Sequence, residues 1–284
     1  MDPHLLKTFV CVAEHGSFSA AALQLGYTQS AVSQHIAALE AQLGTALLHR
    51  RPVGPTDAGL RLLEHAGPIL LRLEAARADV VKTVTRSVPL HLGATSLALL
   101  PVLAASLPGG VSLTGGTLTE VALGVASGQF DAGFVAGMAA PSDPLRLPDT
   151  GPLHRSPLSK AESPLGVVLP SAHPLAGRSS LRLSDLNTAV WLDAPDAAIP
   201  LSDIRSAMGA AHPLRTSIRY TGLDVRTVLS LASAGHGLAV LPLALAAGVA
   251  VPLTMPRLVH RVELLSRNPD SRVLQALVGF VSGT

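Results

Sequence analysis

The sequence predicts an all-α N-terminal region holding a helix-turn-helix, one long linker helix, and an α/β C-terminal region. Three observations predict it. Apolar residues recur at helical spacing up to Leu43, interrupted at Gly16 and Gly26. A heptad stripe runs from Leu62 to Val80. Beyond residue 88, strand-like and helix-like runs alternate. A chain of 284 residues suits two or three compact units.

The first helix is expected over about residues 3–14. Leu5, Leu6, Phe9, Val10 and Ala13 share a face, and Gly16 stops the run. Ser17 is placed to cap a second helix, Phe18 to Gln24. Leu25-Gly26-Tyr27 reads as a tight turn, because Gly26 can take a positive φ. Thr28 then caps a third helix, Gln29 to Leu43. Its apolar face is Ala31, Val32, Ile36, Leu39 and Leu43, and the opposite face carries Gln29, Ser30, Ser33, Gln34 and His35. Two short helices around a glycine turn form a helix-turn-helix, whose second helix can lie in the major groove of DNA. Gln pairs bidentately with adenine, and Ser can serve any base. The plain alternative is a solvated helix face.

Composition bounds the rest. Hydrophobic residues make up 48% of the chain and charged residues 14%, which excludes global disorder. Aromatics are only 3%, so the core must be built from Leu, Val and Ala. The net charge of +2 does not by itself indicate nucleic acid. Residues 1–60 set Lys7, Arg50 and Arg51 against Asp2, Glu14, Glu40 and Asp57. A DNA reading therefore rests on motif and placement. The single cysteine, Cys11, cannot form an internal disulfide, which fits a reducing compartment, and its apolar neighbours suggest a small buried hydrophobe. The start Met1-Asp2-Pro3-His4 lacks the basic and apolar segments of a secretory leader. The most apolar stretch, Leu238 to Leu253, is broken by Pro242 and Pro252 and is too short to span a bilayer. It is expected to form a buried strand and a short helix. No membrane association and a cytoplasmic location are expected.

The pattern Phe9-x-x-Val12-Ala13-Glu14-x-Gly16-Ser17-Phe18-x-x-Ala21-Ala22-x-x-Leu25 is followed by Thr28-Gln29-Ser30-Ala31-Val32-Ser33-Gln34-x-Ile36-x-x-Leu39-Glu40-x-x-Leu43-Gly44. Together these closely resemble the N-terminal signature of LysR-type transcriptional regulators, with the spacing intact. The resemblance implies a winged helix-turn-helix. Leu47-Leu48-His49-Arg50-Arg51 then corresponds to the segment leading into the wing, and Pro55-Thr56-x-Ala58-Gly59 to the segment leaving it. The intervening Pro52-Val53-Gly54 is shorter and less basic than is usual in the family. The residues expected on double-stranded DNA are Thr28, Gln29, Ser30, Ser33, Gln34, His35, Arg50 and Arg51. The two arginines would read phosphate or the minor groove, or else be ordinary surface cations.

From Thr56 the chain is expected to be helical to about Thr85. Leu62, Ala66, Ile69, Leu73, Ala76 and Val80 are spaced alternately by four and three. The resemblance implies that this helix pairs two subunits as a homodimer or within a homotetramer. The alternative is packing against its own chain. Gly67-Pro68 lies inside it and predicts a bend or a division into two segments.

In the remaining two-thirds, strands are expected at Pro89–Gly93, Val111–Thr114, Asp131–Ala136, Leu165–Leu169, Val190–Leu192, Thr216–Tyr220, Leu238–Leu241 and Leu258–Ser266. Helices are expected at Ser96–Ser106, Glu120–Ser127, Leu201–Ala211, Val225–Ala234 and Val273–Val281. Such alternation predicts a mostly parallel sheet. The arrangement resembles the LysR-type effector domain, two α/β lobes joined by two crossover strands, as in type 2 periplasmic-binding proteins. His173-Pro174-Leu175-Ala176-Gly177, Leu183-x-Asp185-Leu186 and Ala234-Gly235-His236-Gly237-Leu238-Ala239-Val240-Leu241-Pro242 support it locally. The expected division is 1–57 for the winged helix-turn-helix, 58–87 for the linker helix and 88–284 for the effector domain. Within the latter, lobe one would be 88–160 with 257–284, and lobe two 161–256.

Ligands of open α/β sheets sit beyond the carboxyl ends of strands. Those ends carry Thr95, Ser96, Thr117, Asp193, Thr221 and Gly222, the expected effector contacts. If Thr95 and Ser96 open a helix, its free N–H groups favour an anion, so a small anionic effector is expected. The alternative is a plain helix cap.

Enzyme signatures fail. The eleven histidines form neither His-x-x-x-His nor His-Glu-x-x-His, and there is no Gly-x-Ser-x-Gly. Gly235-x-Gly237 reaches Val240 where the dinucleotide fingerprint needs glycine. No catalytic residue, metal or cofactor is expected. A transport-type binding protein would share two lobes but would need a leader and no helix-turn-helix.

Overall fold

The structure is a computed structural model that describes residues 1–84, 90–107, 109–141, 143–209 and 214–268. The chain folds as two units, Met1–Arg77 and Ala78–Thr284.

In the first unit, α1 (Pro3–His15), α2 (Phe18–Leu25) and α3 (Gln29–Leu43) precede a two-stranded antiparallel wing, β1 (Leu48–Arg50) and β2 (Val53–Pro55). Each helix starts where a short polar side chain can take up an orphan amide. Asp2 accepts from His4 N, Ser17 from Ala20 N, and Thr28 from Ala31 N at 3.1 Å. Each also stops at a left-handed glycine: Gly16, Gly26 and Gly44. The core joins Leu6, Phe9, Val12, Ala21, Val32, Ile36, Leu39 and Leu47, all almost wholly excluded from solvent. Leu43, expected on the apolar face of α3, is instead 43% exposed. It occupies the last helical position beside Gly44, past the end of the core. Cys11 is buried, and desolvation pushes its thiol up, as suits a small hydrophobe.

The helix α4 (Asp57–Val84) begins after Thr56, whose hydroxyl accepts from Gly59 N at 3.1 Å. One helix passes through Gly67–Pro68, so the two-segment alternative does not form. Leu62, Leu63 and Ala66 before the proline and Leu70 after it pack on the same core. That packing offsets the roughly 3 kcal/mol a helical proline costs. It also divides the heptad stripe. Leu62 and Ala66 face their own chain, while Ile69 is 41% and Val80 67% exposed.

The second unit contains β3 (Leu90–Ala94), α5 (Pro101–Ser106), β4 (Val111–Gly115), α6 (Leu118–Ser127), β5 (Ala132–Ala139), β6 (His154–Pro157), β7 (Ser163–Val168), β8 (Leu181–Arg182), β9 (Val190–Asp193), α7 (Leu201–Met208), β10 (Arg215–Arg219), α8 (Val225–Ser233), β11 (Ala239–Pro242), β12 (Ala250–Met255) and β13 (Val259–Ser266). The main sheet runs β4-β3-β5-β13-β7-β12-β8, with β6 on β13 and β11 on β7. It is mixed, not mostly parallel. β13 is antiparallel to β5, β6 and β7, and β7 is antiparallel to β11 and β12. The strands β6, β8 and β12 were invisible to alternation because they are short or carry proline. The expected short helix before Leu253 is a set of turns leading into β12. The expected closing helix Val273–Val281 lies outside the described residues.

Two cores flank the start of β13. One gathers Leu165, Val167, Trp191, Ile204, Val228 and Leu241, and the other Leu92, Leu100, Phe134, Val262 and Leu264. Val259 and His260 pair with Pro164 and Ser163, so β13 and β7 run antiparallel between these cores. His260 is wholly buried, and among the described residues neither ring nitrogen has a hydrogen-bond partner in good geometry. Burial pushes its pKa down to about 4 from 6.5, with the Leu97 backbone opposing. The folded state therefore holds it neutral. Its contribution to stability is complete above pH 6.5 and is lost as pH falls toward 4, by up to about 3 kcal/mol. Unfolding followed through Trp191, the sole tryptophan, should show this loss. His260→Leu should flatten the pH profile across that window.

Candidate DNA interface and effector cavity

The burial of Val32, Ile36 and Leu39 fixes the rotation of α3 and turns its first turns outward. Gln29, Ser30 and Gln34 are exposed, and Ser33 is half-buried. Thr28, also exposed, spends its hydroxyl on the helix cap. His35 sits differently. Its Nδ1 lies 3.1 Å from the Thr8 hydroxyl, and its ring meets Tyr27 edge-on at 5.2 Å. Those contacts fix α3 against α1 and the turn that precedes it.

Glu40 organises the wing. Its Oε1 accepts from Leu47 N at 2.9 Å and Leu48 N at 3.2 Å, and Oε2 meets Arg50 at 3.2 Å. The Arg50 guanidinium also lies 5.2 Å over the Phe18 ring. Arg50 is thus held within the unit while half its side chain faces water. Arg51 is exposed. Sequence reasoning placed Glu40 within the signature but gave it no task.

In the second unit, a cavity of about 500 Å³ opens among Thr95–Leu97, Gly116–Leu118, Ala136–Ala140, Asp143–Arg146, Leu258 and one side of the segment from Pro195 into α7, including Asp196, Ser202, Asp203 and Ser206. Its size is that of a small-molecule site. Three of the six expected residues line it: Thr95, Ser96 and Thr117. The other three do not. Asp193 pairs with Arg219 at 3.5 Å, Thr221 lies exposed, and Gly222 packs so tightly on Tyr220 that a Cβ would meet Oη at 2.2 Å. The chain continues past the end of β9, so Pro195 and Asp196 reach the cavity where Asp193 does not. Sequence reasoning also missed Arg146, Ser202 and Asp203, which lie on loops and in the first turn of α7.

The expected helix at Ser96 is a turn, and α5 begins at Pro101. Thr95 and Ser96 therefore offer no helix N-terminus to an anion. Thr95 N donates to Phe134 O at 2.9 Å, and its hydroxyl accepts from Ala136 N at 3.1 Å. The Ser96 hydroxyl donates to Asp196 O. At α6, Thr117 and Glu120 satisfy each other in a capping box. These hydrogen bonds hold the Glu120 carboxyl below its ordinary range.

Residues 3–60 match the bacterial regulatory helix-turn-helix protein, lysR family, and residues 109–283 match the LysR substrate binding domain. The chain belongs to the LysR family. This LysR-family chain is a DNA-binding transcriptional regulator with an effector-binding domain. It is 32% identical to the HTH-type transcriptional regulator AbaB of Streptomyces antibioticus, over 85% of this chain and 81% of that protein. It is 28% identical to the HTH-type transcriptional regulator BudR of Raoultella terrigena, over 85% and 84%. The fold matches the LysR family regulator CbnR at a TM-score of 0.57, with 23% identity over 99% of this chain and 98% of that one. Full-length BenM gives 0.54, with 23% identity over 99% and 96%. No helix among the described residues is long and apolar enough to cross a membrane.

Because the Glu40 carboxylate accepts from the Leu47 and Leu48 amides, Glu40→Ala should speed hydrogen exchange at Leu47 and Leu48 at least tenfold, about 1.4 kcal/mol. The amides of α1 should stay protected. Equal exchange in the variant and the parent would remove Glu40 from this task.

Proposed function

We propose that this LysR-family regulator binds a promoter site of two-fold symmetry through paired α3 helices and responds to a small molecule held in the cavity of its second unit. The observation that carries the reading is the outward polar face of α3, Gln29, Ser30, Ser33 and Gln34, on a helix whose other side is locked in a core. Arg50 and Arg51 supply backbone contacts, and Thr28 and His35 act mainly by holding α3 in place. Residues 1–57 form the DNA-binding part, 58–87 the linker and 88–284 the effector part. The working location is the cytoplasm, where the DNA is, and no catalytic role is assigned.

Self-association is assigned to the exposed part of α4. Ile69, Leu73, Ala76 and Val80 keep the four-three spacing of a paired helix after Leu62 and Ala66 have been used internally. A homodimer sets two recognition helices on one face of the duplex, and a tetramer doubles that arrangement. The full chain should footprint two half-sites about one helical turn apart upstream of its own gene. Ile69→Asp should shift it toward monomer in sedimentation and weaken operator binding at least tenfold. A monomeric variant that binds as tightly as the parent would contradict the paired reading. Few cations face the DNA, so the fall of affinity with salt should be shallow for the family.

A further inference from the structure

The cavity has a marked charge imbalance. Among its described lining residues are three aspartates, Asp143, Asp196 and Asp203, against one arginine, Arg146. Two of the donors that could receive an anion are already engaged: the Thr95 amide donates to Phe134 O and the Ser96 hydroxyl to Asp196 O. Both helices that begin at the cavity carry their own acid in the first turn: Glu120 on α6 and Asp203 on α7. Glu120 takes Thr117 N at 2.8 Å, so the position an anion would seek at that helix start holds a carboxylate.

Two of the acids are strained toward neutrality. Burial, then the nearby Glu120 carboxylate, pushes the Asp196 carboxyl up. Burial pushes Asp203 up as well, with Ser202 and Arg146 pulling the other way. Arg146 thus answers part of the charge of Asp203, while the charge that acts on Asp196 is the negative one of Glu120. Leu97, Leu118, Met138 and Leu258 supply apolar wall.

Resting on the effector reading above, we propose that the ligand of this cavity is a small organic amine, its protonated nitrogen on Asp196 near Glu120 and its apolar body against Leu97, Met138 and Leu258. This replaces the anionic effector expected from the sequence. A cation placed there meets the partly desolvated Asp196 carboxyl, with the negative charge of Glu120 acting in the same direction. An anion placed there meets like charge at both helix starts.

The test uses the full chain and a matched set of phenethylamine, 3-phenylpropionate and 2-phenylethanol, each at about 10 mM, with thermal unfolding followed through Trp191. Phenethylamine should raise the midpoint by at least about 2 °C, and the acid and alcohol should not. Asp196→Asn should leave the ligand-free midpoint equal or higher, because it removes a carboxylate that its surroundings disfavour. It should weaken amine binding at least tenfold. Ser206→Phe, which fills the cavity from an exposed position, should abolish the response. Stabilisation by 3-phenylpropionate that Ser206→Phe removes would overturn the amine while leaving the cavity as the effector site. No response to phenethylamine, or an undiminished response in Asp196→Asn, would also overturn the amine. Stabilisation by the amine that survives Ser206→Phe would overturn both the amine and the cavity.

Discussion

The stripe Val32, Ile36 and Leu39, packed on α1, is the contact on which the DNA-facing geometry depends. It fixes the rotation of α3 about its axis, and that rotation decides which side chains meet a partner. A turn of one residue would shift the helix by about 100° and replace Gln29 and Gln34 with other side chains on the outer face. The caps support the same geometry from both ends. Thr28 and Gly44 define where α3 starts and stops, and His35 braces it against Thr8 and Tyr27. Glu40, one turn from the end, then carries that alignment into the wing through two backbone amides.

The second unit follows a different logic. Its cavity is built where loops leave strand ends, beside the point at which β13 and β7 pair between two cores. The Thr95 amide and the Ser96 hydroxyl are spent on the protein itself, and the carboxyls of Asp196 and Asp203 stand in partly desolvated positions. A buried neutral His260 lies on the same crossover strand.

The first unit was readable almost residue by residue, because helix boundaries there are written in chemistry: Ser17 and Thr28 as caps, Gly16, Gly26 and Gly44 as stops. The heptad was readable as apolar but not as divided. Whether Leu62 meets its own core or another chain depends on tertiary packing, which spacing does not encode. In the second unit, strands with β-branched runs were found, while β6, β8 and β12 were not. The start of α5 was misplaced because Thr95-Ser96 resembles a cap, yet Pro101 at the first helical position is the stronger signal. Asp193, Thr221 and Gly222 were expected in the cavity by the strand-end rule. The rule fails there because β9 and β10 form their own small parallel sheet, and the chain travels on to Asp196 before reaching the cavity.

The most direct measurement is operator occupancy by a variant with Gln29, Ser33 and Gln34 all replaced by alanine. Helicity and the thermal midpoint are checked first, since all three side chains lie off the buried stripe. Loss of operator binding to the level seen on unrelated DNA, in a protein that remains folded and self-associated, is the predicted result. Unchanged occupancy of the operator by that folded variant would contradict the claim that α3 reads the duplex.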